Sequence, residues 1–124
     1  MAEESELSWP AEYIPDTDVL FMRVHRTFVV NDTLIPGVFR DHGGGMSTDW
    51  GKYSTEHDTL ARSKKPTDNG VIEMNVSQVR AIQPLTVIHK PLVDNRAHAD
   101  VSGEKSTEVR VKLLRIARWL IKLS

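Results

Sequence analysis

The chain has 124 residues, 40% of them hydrophobic and 27% charged, with a net charge of −1 and no cysteine. That length suits a single domain with a real core, and the missing thiols exclude disulfides, thiolate catalysis and thiolate-bound zinc. Apolar runs of only a few residues exclude a membrane-spanning helix, and the opening Met-Ala-Glu-Glu carries no secretory signal, so the expected location is cytoplasmic, with no membrane partner.

Residues 1–17 read as a loosely ordered acidic arm, with Trp9-Pro10 and Ile14-Pro15 as anchoring points, because the residue before a proline is held extended. The domain proper is expected over residues 18–124. Val19 to Val24 favours a strand, continued or re-entered at Thr27 to Val30. Asn31-Asp32 predicts a hairpin turn into Thr33-Leu34-Ile35, and Pro36-Gly37 redirects the chain. Val38-Phe39-Arg40 is a short extended piece, followed by a flexible loop through Gly43-Gly44-Gly45. In Met46-Ser-Thr-Asp-Trp50 the hydroxyls of Ser47 and Thr48 could bind a ligand, but Ser47 and Asp49 are rather expected to cap the following turn.

Ser54-Thr55-Glu56 opens a short helix, with Glu56 and Asp58 suited to its positive end and Leu60 and Ala61 expected to face inward. Lys64-Lys65-Pro66 ends it, and Asp68-Asn69-Gly70 is a turn. Val71 to Val76 alternates, with Ile72, Met74 and Val76 on one face and Glu73 and Asn75 on the other. Val79 to Ile82 reads as a strand or a helical turn, and Leu85 to His89 as a strand ended by Pro91. From Ser106, a plausible N-cap, Val109, Leu113, Ile116, Ala117 and Leu120 form the apolar stripe of a basic amphipathic helix. The predicted fold class is therefore α+β: one domain with a mostly antiparallel sheet covered by a C-terminal amphipathic helix.

Charge is unevenly spread. Glu3, Glu4, Glu6, Glu12, Asp16 and Asp18 fill the first twenty residues without a Lys or Arg. Lys105, Arg110, Lys112, Arg115, Arg118 and Lys122 face only Glu108 in the last twenty. Either the basic end meets an anionic partner or the acidic segment folds back over it; the near-neutral total favours the second.

The stretch Asp94 to Gly103 is the densest in proton-transfer and hydrogen-bonding groups, holding Asn95, Arg96, His98 and Asp100. It is either a polar loop whose side chains cap backbone groups or part of a site. Strand alternation places Arg23 and His25 on the face that Val19 and Phe21 begin, a change from apolar to polar expected either at a solvated sheet end or where a sheet face opens into a cleft. Arg23 could fork onto a phosphate or carboxylate, and His25 could exchange protons near neutral pH. The triple glycine lacks the Lys-Ser/Thr ending of a phosphate loop, no His-Glu-x-x-His pair is present, and no Gly-x-Ser-x-Gly elbow occurs. Neither a dedicated metal site nor a cofactor is expected.

Phe-Met-Arg-Val-His (21–25), Pro-Gly-Val-Phe-Arg (36–40), Met-Ser-Thr-Asp-Trp (46–50), Val-Arg (79–80) and Asn-Arg-Ala-His-Ala (95–99), in that order, resemble a family of small bacterial proteins, some of them in mobile or defence-linked gene neighbourhoods. The chain also resembles ADP-ribosyltransferase-like folds, which place Arg or His on an early strand, a Ser-Thr element on a later one and an acidic or polar residue further on. That resemblance implies Arg23 or His25, Ser47-Thr48, and Glu73 or His98.

Two functions follow as expectations. In the first, a binding module uses Arg23, His25, Ser47, Thr48, Asn95, Arg96 and His98 in one cleft to take an anionic group of a protein, nucleotide or nucleic-acid partner. In the second, His25 or His98 is a general acid or base, and Arg23 or Arg96 stabilises negative charge on a phosphate-bearing substrate such as a dinucleotide or RNA end.

Overall fold

Six strands form one antiparallel sheet whose two faces differ in chemistry, and that difference organises the molecule. The computed structural model describes residues 9–123. The sheet contains β1 (Val19–His25), β4 (Met46–Trp50), β5 (Asn69–Asn75), β6 (Thr86–His89), β7 (His98–Ser102) and β8 (Arg118–Ile121), in the order β6-β7-β4-β1-β5-β8. A separate hairpin pairs β2 (Val29–Val30) with β3 (Thr33–Leu34) through Asn31 and Asp32, both at positive φ (52° and 63°). Short polar side chains tolerate that conformation, so the predicted turn is where it was expected. Among the described residues three α-helices accompany the sheet: α1 (Glu56–Ala61), α2 (Val76–Arg80) and α3 (Thr107–Ile116). The fold is α+β, with α3 covering the sheet. No helix of the described residues is long and apolar enough to cross a membrane.

One sheet face is apolar. Leu20, Met22, Val24, Met46, Trp50, Ile72, Met74, Val87, Ala99 and Val101 are buried there, and they pack with Val76 and Val79 of α2 and Val109 and Leu113 of α3. Burying each large side chain contributes on the order of 1.5–3 kcal/mol. The other face carries Arg23, Ser47, Asp49, Glu73, His98 and Asp100. This follows from the registers Phe21↔Asp49, Phe21↔Glu73, Asp49↔His98 and Ser47↔Asp100, since cross-strand partners share a face. The predicted placing of Arg23 and His25 on one face of the first strand, and of Ile72 and Met74 opposite Glu73, agrees with this register.

Four local expectations are corrected. Ser47 and Asp49 do not cap a turn: they belong to the central strand β4, whose other side is Met46, Thr48 and Trp50. The helix from Ser106, which does cap it through Val109 N–H, ends at Ile116; Arg118–Ile121 pair instead with β5. Leu120 therefore leaves the apolar stripe and is exposed. Gly70 permits this pairing, because a Cβ there would lie 2.5 Å from the Ile121 carbonyl oxygen and 2.8 Å from the Trp119 ring. In α1, capped by a reciprocal Thr55–Asp58 box, the buried residue is Thr59, while Leu60 is half-buried and Ala61 exposed. A polar sheet face selects a polar contact from the helix laid on it.

The fourth correction concerns the N-terminal arm. Residues 1–8 lie outside the described residues, but 9–17 are docked rather than loose. Ile14 is buried, its carbonyl accepts from Arg80 Nη1 at 2.6 Å, and Asp16 pairs with the same guanidinium at 2.6 Å. The described acidic residues of this segment thus pair with Arg80, Lys52 and Arg96, and α3 is not their partner.

Candidate functional site

The β1–β4 ladder stops after Leu20↔Trp50 and Phe21↔Asp49. Continuing the register would set Arg23 opposite Ser47, yet they are not strand partners; the sheet parts between them. A cleft of about 620 Å³ opens at this split. Arg23 and His25 enter it from β1, Ser47 and Asp49 from β4, Asn69 from β5 and His98 from β7. Arg40, His42, Arg62 and Asn95 add polar groups from the surrounding turns. Met22, Phe28, Val38, Met46 and Leu92 supply apolar wall, because the split reaches toward the core side of the sheet.

Asp49 ties the walls together. It is 4% exposed, and its carboxylate accepts from Thr59 Oγ1 (2.8 Å), Arg62 Nη1 (2.7 Å) and Asn95 Nδ2 (2.8 Å). Two of the donors come from α1 and its C-cap and the third from the turn before β7, and a buried carboxylate needs several donors to offset its lost hydration. From two of these groups the order extends one bond further. The Thr59 carbonyl accepts from Arg23 Nη1 at 3.0 Å, and Asn95 Oδ1 accepts from Ala97 N–H at 3.1 Å, fixing the turn that leads into His98.

Two histidines of the cleft have defined tautomers. His98 Nδ1 lies 2.9 Å from the Lys90 carbonyl, which can only accept, so Nδ1 carries the proton. Its Nε2 then faces Ser47 Oγ at 3.4 Å and Asp100 Oδ1 at 3.5 Å. His25 is arranged in reverse: Nδ1 accepts from Thr27 N–H at 3.2 Å, which places the proton of the neutral ring on Nε2.

The cleft gathers Arg23, His25, Ser47, Thr48, Asn95 and His98 of the sequence-predicted residues. Thr48 borders it with its hydroxyl already donated to the Ala99 carbonyl at 2.8 Å. Arg96 does not line it. Its guanidinium lies 4.6 Å from the Trp9 ring centre and 4.0 Å from that of Tyr53, with Glu12 Oε2 at 3.7 Å. It belongs to a clasp holding the N-terminal segment, in which buried His89 accepts from Glu12 N–H (3.0 Å) and donates from Nε2 to the Arg96 carbonyl (2.7 Å). Hydrogen bonds from Lys52, then Tyr53, hold the Glu12 carboxyl below the usual carboxylate range, and the bond to Glu12 raises the Lys52 ammonium. Glu73 shares the polar face but pairs with Arg118 outside this cleft.

Sequence reasoning passed over Arg40, His42, Arg62 and Asn69, and weighed Asp49 only as a cap. The available signal was the alternation of Met46, Thr48 and Trp50, which would have turned Ser47 and Asp49 to one face. Among the described residues no group of three or more His, Asp or Glu is placed to hold a metal ion. In comparisons with protein families, curated proteins and solved structures, nothing matches the chain.

Proposed function

We propose that the cleft binds the phosphate-bearing part of a nucleotide-class ligand. One observation carries this reading: Arg23 and Arg40 both reach the cleft, and among the described residues neither forms a salt bridge with a carboxylate. Arg62, by contrast, is neutralised by Asp49. A guanidinium fork matches phosphate oxygens bidentately, and Phe28, against which Arg40 stacks at 5.2 Å, offers an apolar surface beside it. The volume also falls in the range of about 300–1,000 Å³ common for small-molecule sites. Calorimetric titration with ATP, NAD and a short RNA tests the reading. Saturable binding that weakens in both Arg23→Met and Arg40→Met supports it; three flat titrations on folded protein overturn it. A steep loss of RNA affinity with salt would mark nucleic acid as the ligand.

A second reading, in which the ligand is a substrate, is favoured by the order of the cleft residues. The resemblance to ADP-ribosyltransferase-like folds implies Arg or His on an early strand, Ser-Thr on another and a later polar residue. Arg23 and His25 stand on β1, Ser47 and Thr48 on β4 and His98 on β7, three strands adjacent in the sheet. The corresponding activity is ADP-ribosyl transfer or hydrolysis from NAD, with His98 or His25 handling the proton. Incubation with NAD and mass spectrometry for nicotinamide tests it. His98→Ala should abolish release while leaving Tm nearly unchanged; release at the parent rate would remove His98 from the reaction.

A further inference from the structure

We infer that Ser47 is a nucleophile activated by His98, and that the cleft can break a phosphate ester through a phosphoseryl intermediate. This deepens the phosphate-binding reading and rests on it. It is separate from the NAD reading, which needs no covalent serine.

The inference rests on four placements. First, the Lys90 carbonyl holds the His98 proton on Nδ1 (2.9 Å), so Nε2 presents a lone pair. A general base needs this tautomer, and a backbone carbonyl here does the orienting that a carboxylate does in other sites. Second, the group within reach of that lone pair is a hydroxyl, Ser47 Oγ, at 3.4 Å. Catalytic hydrogen bonds are often this loose before substrate arrives. Third, Asp100 Oδ1 lies 3.5 Å from Nε2, so the imidazolium formed when Ser47 loses its proton has a buried carboxylate beside it. Fourth, Ser47 stands where β1 and β4 part, with Arg23 across the split. Alternation turns the backbone N–H groups of residues 47 and 49 of β4 toward β1, because Gly51 N–H donates to the Val19 carbonyl at 2.9 Å and Trp50 N–H donates to the Ala97 carbonyl on the opposite side at 2.7 Å; Ser47 lies beyond the last ladder pair. Arg23 and the Ser47 N–H therefore face the place where a phosphoryl group would sit, while the neighbouring carboxylates of Asp49 and Asp100 are paired with Arg62 (2.7 Å) and Lys90 (3.6 Å).

The step balances without a further reactant. Ser47 Oγ forms a bond to phosphorus, its proton passes to His98 Nε2, and the bond from phosphorus to the leaving alkoxide breaks as that oxygen takes the proton. Water, deprotonated by His98, then attacks the phosphoserine. It releases phosphate and restores the Ser47 hydroxyl.

The test uses an alkyl fluorophosphonate, from which the same attack expels fluoride and leaves a stable adduct. Peptide mapping by mass spectrometry should find the adduct on Ser47, none at that position in Ser47→Ala, and labelling at least tenfold slower in His98→Asn. The pH profile of labelling should show an ionisation that His98→Asn removes. Labelling of Ser47 no faster than of Ser63 or Ser77, or labelling indifferent to His98→Asn in folded protein, overturns the inference. If His98→Asn does not fold, Ser47→Thr and the wild-type pH profile decide it: no adduct or no ionisation in the wild type overturns it. Nucleotide titration is scored separately. Nucleotide binding without labelling removes the nucleophile and leaves the binding reading standing; absent nucleotide binding removes the reading itself.

Discussion

The two faces of the sheet are made from the same strands and alternate residue by residue, yet they differ in almost every physical respect. On the apolar face, Met46, Ile72, Met74 and Leu113 are buried to within 2%, as is Trp50, whose indole N–H donates to Asp18 at 2.8 Å. On the polar face, the helix α1 is joined to the sheet through Asp49, Thr59 and Arg62, and part of the surface is left open as a cleft. The first face holds the molecule together by burial; the second holds side chains in place by directed bonds. Changes on the first should lower stability and spare recognition, and changes on the second should reverse that order.

The largest effect is expected from Leu113→Ala. Removing a fully buried side chain from α3 should cost roughly 2–5 kcal/mol in a chemical melt, with ligand affinity unchanged in the protein that remains folded. A melt like the parent's would take α3 out of the core. Asp49→Ala is the intermediate case, because it touches both functions. It strips Thr59, Arg62 and Asn95 of their shared acceptor, at about 1–3 kcal/mol for buried groups left unsatisfied. It should also weaken ATP binding by loosening Arg23 and the turn before His98. Lost stability with full affinity would show that the network does not position the cleft.

Arg23→Met should do the opposite of Leu113→Ala. Stability should stay within about 0.5 kcal/mol, as for an exposed substitution. ATP affinity should fall about tenfold or more, matching the roughly 1.5–3 kcal/mol of a charged hydrogen bond. The smallest effect belongs to the clasp around residues 9–14. Glu12 titrates lower in the folded chain, so its contribution is present above the ordinary carboxylate range and fades as pH falls through its depressed value. Lys52 titrates higher, so its contribution is present below the ordinary ammonium range and fades as pH rises through its raised value. Hydrogen exchange of the amides of residues 11–14 should be slowest between these limits, after correction for intrinsic rates. Protection independent of pH across both limits would mean that the Glu12–Lys52–Tyr53 bonds do not hold the segment.

The same contrast decides what could be read from the sequence. β1, β5 and β6 announce themselves because their apolar residues alternate or cluster, and the Asn31-Asp32 hairpin is written in turn chemistry. β4 and β7 were hidden, although they lie in the interior of the sheet. In Met46-Ser-Thr-Asp-Trp50 and His98-Ala-Asp-Val-Ser102 the polar sheet face takes Ser47, Asp49, His98, Asp100 and Ser102, of which Ser47, Asp49 and His98 line the cleft, and Ser, Asp and His carry a stronger signal for caps and loops than for strands. The stretch that looked most like a functional loop is half a turn and half a strand for that reason. The end of α3 misled in another way. Leu120 continues the helical stripe, while Trp119 and Ile121 serve equally well as alternate residues of a strand. Only the open edge of β5 beside Gly70 decides between them. Arg96 could not be separated from Arg23 by residue type; its place between Trp9 and Tyr53 depends on a segment more than eighty residues earlier in the chain.

The alternation in β4 also sets where the chain can change length. Gly43 and Gly44 have open space around them, so a residue added there would enlarge a loop and leave the strand in phase. One residue added between Met46 and Asp49 would turn every later side chain of the strand over, sending Asp49 toward the core and Trp50 toward the cleft. Descendants of this chain should therefore vary in length before Gly45 and hold length fixed from Met46 to Trp50, whatever ligand they come to recognise.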